Sequence, residues 1–322
     1  MTRSPLLPAL VLFVAACSSG PSQPRDGGGG PGPGGSWLAG GGGQLIAADD
    51  GTNFQQRSSP TTADLFSLVC VGHELGWAAG ANGTIIATTD GGKGWLVQPT
   101  SSRAALRAIH FADARSGLAV GDGGAVLRTS DGGATWQPVA FSSSAGLRAV
   151  ALSRTGSGVA LIAGQGGALF RSTDGGKTFA AVDSGTASDL RGVRFADDGQ
   201  RAFAAGSGGV LLTSSDAGKT WTALAKAPGD LRSVSVSDDG HRILAVGAEG
   251  LVWRSDDGGR SFARVDSGAT AALNAIGFSD ADPLTGWAVG ERGTVLLTRD
   301  GGRSFTRLAA GTSADLYSVE DL

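Results

Sequence analysis

Cysteine, tyrosine and methionine are nearly missing from this 322-residue chain: two Cys, one Tyr and one Met. Two cysteines, Cys17 and Cys70, cannot build a disulfide framework, so stability must come from a large buried core. Histidine is also scarce, at three residues, and His73, His110 and His241 fall in different repeats, each expected near the turn between the first and second strands (A–B) of its repeat. No shared metal site is expected from them. Positive charge is not in excess, the formal charge being −3, which argues against a nucleic-acid partner. Long apolar runs are absent except near the start, where residues 6–14 follow Arg3 and lead into Ala15-Ala16-Cys17. That run is too short for a stable spanning helix and has the build of a secretory signal.

Glycine, by contrast, is abundant, with 55 residues. Many of these glycines recur at fixed offsets in a unit of a hydroxyl, Asp two residues on, Gly, and an aromatic five after the Asp. The copies are Thr88…Asp90…Trp95, Thr129…Asp131…Trp136, Ser172…Asp174…Phe179, Ser214…Asp216…Trp221, Ser255…Asp257…Phe262 and Thr298…Asp300…Phe305. A worn seventh copy, Asp49-Asp50-Gly51-Thr52-Asn53-Phe54, precedes them.

Between these units lie four short strands, A to D, bounded by Gly or Asp. The glycine ending strand B recurs at Gly40, Gly80, Gly121, Gly164, Gly206, Gly247 and Gly290. A period of about 40–45 residues with four strands indicates a β-propeller. The Gly-His and Trp-Asp marks of the WD40 type are missing. Strand A begins at Leu65, Leu106, Leu147, Leu190, Leu231, Leu273 and Leu316. The repeat region opens on a strand B at Ser36 and finishes on a strand A at Leu316. The expected fold is therefore all-β: a seven-bladed propeller of four-stranded antiparallel blades, closed by pairing the C-terminal strand with the N-terminal blade. Closure also hides sheet edges.

The unit places Asp and Ser/Thr oxygens to accept turn N–H groups, with Gly supplying positive φ. Its aromatic is expected to pack on the blade, worth roughly 1.5–3 kcal/mol per ring. It resembles the Asp-box, or BNR, repeat of sialidases and sortilin-type propellers. The longer pattern Leu-Arg-x-Val, Gly-Trp-Ala-Val-Gly, Thr-x-Asp-Gly-Gly-x-x-Trp is most similar to the photosystem II stability/assembly factor-like family. The likeness spans roughly residues 36–322. It implies the fold, and a helper that holds protein partners during complex assembly; it does not establish a link to photosynthesis.

The N-terminal Val14-Ala15-Ala16-Cys17 resembles a bacterial lipobox. That implies a signal peptide over 1–16, cleavage before Cys17 and lipidation of its thiol. Residues 17–35, rich in Ser, Pro and Gly, form a flexible linker to the propeller at 36–322. Ser18 after the lipidated cysteine fits outer-membrane rather than inner-membrane sorting. A monomer, attached to the membrane only through this anchor, is expected.

Two faces follow from the alternation of connections. The A–B and C–D turns share one face, with Asp113, Asp197, Asp198, Asp238, Asp239, Asp280 and Asp282 beside the Asp boxes. These acids read as a solvated rim with turn caps, since calcium needs six or more converging oxygens. On the opposite face, Arg107, Arg148, Arg191 and Arg232 occupy the second position of strand A in four consecutive blades, followed by Asn274 and Tyr317, with Phe66 completing the ring. Strand A is innermost, so these residues form a positive crescent at one mouth of the channel. Two readings remain open. The crescent binds a carboxylate, phosphate or acidic protein segment, or it is a copied arginine paired with Asp189, Asp230 and Asp315.

A sialidase would combine an arginine triad with a Tyr–Glu nucleophile, but its Arg-Ile-Pro signature is absent and its arginines are not in repeat register. A xyloglucanase-type pair of carboxylates would stand about 5–9.5 Å apart, though long substrate loops are missing here. Cys70 reads as a small buried hydrophobe. Gly121-x-Gly123-Gly124 and its siblings join two strands instead of opening a helix, which makes them turns, not phosphate loops. Asn82, Asp122, Gln165, Ser207, Glu249, Glu291 and Arg292 form variable B–C tips suited to recognition. The expectation is a non-catalytic scaffold in the cell envelope without a cofactor, binding envelope protein through an acidic segment; a glycan-directed propeller, lectin or glycosidase, is the alternative.

Overall fold

A computed structural model describes residues 36–48 and 51–321, with only the backbone of Asp321. Cys17, the signal and linker segments, and Asp49-Asp50 of the worn Asp box lie outside the described residues. The chain forms seven four-stranded antiparallel sheets, arranged as the repeat pattern predicts. Blade 1 takes its inner strand from the far end of the chain. Leu316–Asp321 pairs antiparallel with Ser36–Gly40, setting Ser36 opposite Asp321 and Leu38 opposite Val319. Blades 2 to 7 then follow in chain order, with strand A beginning at the expected leucines.

Strand B is buried along its whole length in every blade, save half-buried Leu75 at the start of blade 2's. The cause is its position: alternate side chains point into the two neighbouring blades, so neither face meets water. That is why these strands read as unbroken runs such as Gly117-Leu118-Ala119-Val120-Gly121. The core is correspondingly divided. Seven hydrophobic clusters occupy the seven interfaces between adjacent blades. Trp77 stacks on Phe111 at 3.7 Å between blades 2 and 3, and the closing interface combines Leu38 and Ile46 with Trp287, Leu316 and Val319.

The recurrent glycine at the end of strand B has a steric origin. A Cβ on Gly121 would sit 2.0 Å from the carbonyl oxygen of Ala105, and the other six positions meet the equivalent carbonyl at 1.9 to 2.6 Å. This close approach lets Asp122 N–H donate to Ala105 O at 2.9 Å, locking the B–C turn to the start of strand A. Strand D is the outer edge and is short, reduced to Gln137–Pro138 and Ala180–Ala181 in blades 3 and 4. Short edges, here with a proline, resist pairing with other chains.

Candidate functional site

All seven second-position residues of strand A line one cavity of about 160 Å³ at the channel mouth: Phe66, Arg107, Arg148, Arg191, Arg232, Asn274 and Tyr317. The backbone arranges this by a device the sequence did not announce. In every blade the A–B register slips by one residue at this point; Leu106 pairs with Gly121 but Ala108 pairs with Val120. Residue 2 is thus the extra residue of a β-bulge, which re-aims its side chain toward the axis. The preceding leucine anchors the bulge: Leu65, Leu106, Leu147, Leu190, Leu231, Leu273 and Leu316 are all fully buried.

The arginines are unequally partnered. Arg107 donates to Asp122 through Nε at 3.2 Å and Nη2 at 2.8 Å, while its guanidinium lies 4.4 Å from the Phe66 ring centre. Arg148 Nη1 reaches the same carboxylate at 2.6 Å. Arg232 Nη1 donates to Glu291 Oε1 at 2.9 Å and to Asn274 Oδ1 at 2.6 Å, and Asn274 Nδ2 donates onward to Leu316 O. Arg191 has no hydrogen-bond or ion-pair partner among the described residues. Hydrogen bonding and charge from Arg107, with Arg148 adding to them, hold the Asp122 carboxyl below its usual value. Burial, reinforced by Asp315 and Asp64, raises the Tyr317 phenol, so it stays neutral at physiological pH.

The expected alternative partners are elsewhere. Asp189, Asp230 and Asp315 accept the backbone N–H of Gly166, Gly208 and Arg292 on the preceding blade at 2.7–2.9 Å. The arginines' acids come instead from the B–C tips. Those tips contain two kinds of position. Asp122, Gln165, Ser207 and Glu291 are first in the turn, where Asp122 and Glu291 reach the channel arginines. Asn82, Glu249 and Arg292 are second, in the left-handed region at φ 53–58°. The register offered a signal for this: Leu106 opposite Gly121 puts Asp122 beside the bulge, and Glu291 follows Gly290 identically.

Deeper along the axis, His110, Arg194 and Glu320 line both this cavity and a wider one of about 650 Å³ at the other mouth. His110 belongs to strand A in the channel and not to an A–B turn. Its Nδ1 accepts from Leu152 N at 3.3 Å, and burial together with the Arg194 and Arg154 charges takes its pKa down to about 3. On the same face as the wide mouth, Asp198, Asp239 and Asp282 cap their own turns as expected. Asp197 faces in from the next register position; burial and the charges of Asp238 and Asp280 raise its pKa. No three His, Cys, Asp or Glu side chains among the described residues come together to hold a metal. Cys70 is buried.

The Asp boxes lie on this second face and stay one per blade. In the fourth blade, Ser172 Oγ donates to Asp174 Oδ1 and accepts from Gly176 N, while Asp174 accepts from Lys177 N, Thr178 N and Thr178 Oγ1. Asp131, Asp216, Asp257 and Asp300 repeat the hydroxyl-assisted pattern; Asp90 lacks its last donor because Gly94 replaces Ser or Thr. Donation to the charged form depresses these carboxyls, strongly for Asp174, Asp216, Asp257 and Asp300. The aromatics divide by size. Trp95, Trp136 and Trp221 are buried, whereas the smaller Phe179, Phe262 and Phe305 are only half-buried.

The boxes also join blades, which the repeat pattern did not reveal. Arg128, Arg171 and Arg254 on strand C each donate Nε to the box carbonyl of the next blade, at Gly175, Ala217 and Gly301. Trp77 donates to Gly132 O in the same way, and Trp287 closes the circle on Gly51 O at 2.8 Å.

Seven blades, Asp boxes and a strand-exchanged closure define an Asp-box (BNR) repeat β-propeller. Within that class the chain resembles the photosystem II assembly factors: the family model "Photosynthesis system II assembly factor YCF48" matches residues 59–202, which span blades 2 to 4 and the start of blade 5. No curated protein matches the sequence. Among solved structures, YCF48 bound to D1 peptide is similar at 22% identity and TM-score 0.63, over 77% of this chain and 83% of that one. YCF48 from Cyanidioschyzon merolae is similar at 20% identity and TM-score 0.65, over 81% and 89%. The GH74 xyloglucanase from Xanthomonas campestris reaches TM-score 0.67 at 17% identity, over 85% of this chain but 46% of that enzyme. At these identities the solved structures establish the fold alone.

Proposed function

We propose that this chain is a non-catalytic scaffold whose arginine mouth holds an acidic segment of a protein partner in the cell envelope. The observation carrying this reading is Arg191, a guanidinium without a partner among the described residues, set between Arg148 and Arg232 in a ring of bulged residues. An unspent guanidinium in a confined mouth favours bidentate carboxylate binding. That a similar fold has been solved as YCF48 bound to D1 peptide supports a peptide as the ligand. The lipobox-like Val14-Ala15-Ala16-Cys17 supports attachment to the membrane, on the outer-membrane side, through a lipid on Cys17.

The test uses crosslinked capture from envelope fractions, together with a synthetic glutamate-containing peptide. Arg148→Ala combined with Arg191→Ala should lose both partners. Unchanged capture would remove the crescent from the mechanism. Cys17→Ser should release the protein from the membrane fraction.

A glycan-directed reading retains one observation: Asp197, with its raised pKa, adjoins Asp238 in a roomy cavity, and glycosidases pair such carboxyls. Turnover in a screen of sialosides and β-glucans, lost in Asp197→Asn, would displace the scaffold reading.

A further inference from the structure

The crescent is not equally open around its circumference. Four guanidiniums face two carboxylates, and those carboxylates are concentrated at its ends: Asp122 holds Arg107 and Arg148, and Glu291 holds Arg232. Both acids occupy one structural position, the residue directly after the strand-B glycine. The same position in the other blades is Gly41, Ala81, Gln165, Ser207 and Ala248, all uncharged. Blades 4 to 6 therefore carry no acid at this position, and the carboxylates near their tips do not pair with Arg191: Asp189 and Asp230 accept from the backbone N–H of Gly166 and Gly208, and Glu249 holds the second, left-handed position of its turn. Gln165 is itself engaged, accepting from Gly146 N at 3.1 Å.

We infer that Asp122 and Glu291 are resident competitors for the arginine mouth, standing where a partner's carboxylates would bind and leaving Arg191 as the entry point for a segment with at least two acidic side chains. The inference rests on the acidic-segment reading above and deepens it. The pairs are open to exchange because their side chains are 27–37% exposed, so a ligand can reach them without unfolding the turn. Pairs so exposed are weak and screened, which makes replacement by an incoming carboxylate near-balanced. A lone carboxylate or inorganic anion meets only Arg191. A segment with two acids engages Arg191 and then displaces Asp122 from Arg148 or Glu291 from Arg232. The tip acids thus act as a filter against single charges.

The experiment measures fluorescence anisotropy of two labelled, C-terminally amidated octapeptides, one with two glutamates and one with a single glutamate, against the mature chain. Asp122→Asn with Glu291→Gln should tighten the two-glutamate peptide about tenfold and admit the single-glutamate peptide. Glu291→Gln alone, freeing only Arg232, should give a smaller gain, and Arg191→Gln should weaken binding about tenfold. Retained unfolding midpoints would show that these surface changes leave the ring intact. If the double neutralisation leaves affinity unchanged or lowers it, while Arg148→Ala plus Arg191→Ala abolishes binding, the mouth is the site but the tip acids are struts, and the inference falls alone. If the two arginine substitutions change nothing, the site itself is wrong. If the original chain binds neither peptide, appearance of binding in the neutralised variant supports competition and its continued absence overturns it.

Discussion

Ring closure can be tested with the molecule's own symmetry as the control. Leu316 and Leu190 hold the same first position of strand A, and both are fully buried. Leu190 belongs to a continuous internal blade; Leu316 belongs to the strand that completes blade 1 across the whole chain. Leu316 packs with Leu38, Trp287 and Val319 in the closing interface, and its Cδ2 comes within 3.1 Å of where a Cβ on Gly40 would lie. Truncating a buried leucine to alanine costs about 2–5 kcal/mol. For a domain of this size that lowers the melting temperature on the order of 5–15 °C. Leu316→Ala and Leu190→Ala should therefore fall by similar amounts in calorimetry and in urea titration. Deleting residues 316–322 should go further and abolish a single cooperative transition, because Ser36–Gly40 loses its antiparallel partner. A Leu316→Ala change below about 0.5 kcal/mol, the range of inconsequential surface substitutions, beside a full effect in Leu190→Ala, would refute the closure argument.

Three further outcomes follow from the Asp boxes. Ala217 occupies a box position held by glycine in the other five intact copies, at φ 59°; Ala217→Gly should stabilise by about 0.5–1 kcal/mol in urea titration, since the left-handed penalty of about 1–2 kcal/mol exceeds glycine's entropy loss. Gly94→Ser should restore the missing donor to Asp90 Oδ2, from which a Cβ would lie 3.4 Å away, and raise stability by about 0.5–1.5 kcal/mol. Acid titration gives the third. The box carboxyls have folded pKa values below the unfolded value, so their contribution is complete above the unfolded pKa of about 4 and fades as pH falls through the lower folded values. Buried His110, with a folded pKa of about 3, adds a gradual loss as pH falls below the unfolded histidine value of about 6.5. Unfolding midpoints should therefore decline gently from about pH 6.5 and more steeply below about pH 4; midpoints flat down to about pH 4 would remove His110 from the acid response.

Blade number, strand starts and the exchanged terminal strand were legible because leucine, glycine and Asp-box positions recur with a fixed offset. The ring of second-position residues was legible for the same reason: register survives repetition. What escaped was whatever depends on contact between repeats. The strand-C arginines on neighbouring box carbonyls join residues more than forty positions apart, and nothing local marks them. The B–C tips looked uniform, yet a one-residue offset separates Asp122, which reaches the channel, from Asn82, which adopts the left-handed turn. His110 was placed near a turn because a lone histidine carries no periodic signal, whereas its burial beside Arg194 is a property of the closed ring. The pairing of the arginines with Asp189, Asp230 and Asp315 failed because backbone N–H groups on the preceding blade take those carboxylates first.

The pairing of Ser36 with Asp321 fixes the side of the ring on which both described ends of the chain emerge. Strand A runs from the arginine mouth to the Asp-box side, and the strand beginning at Ser36 runs back, so the chain enters and leaves the propeller on the Asp-box side. The arginine mouth, with Arg191 and its neighbours, is therefore left clear of both points where the chain meets the ring, so an approaching segment need not thread past either.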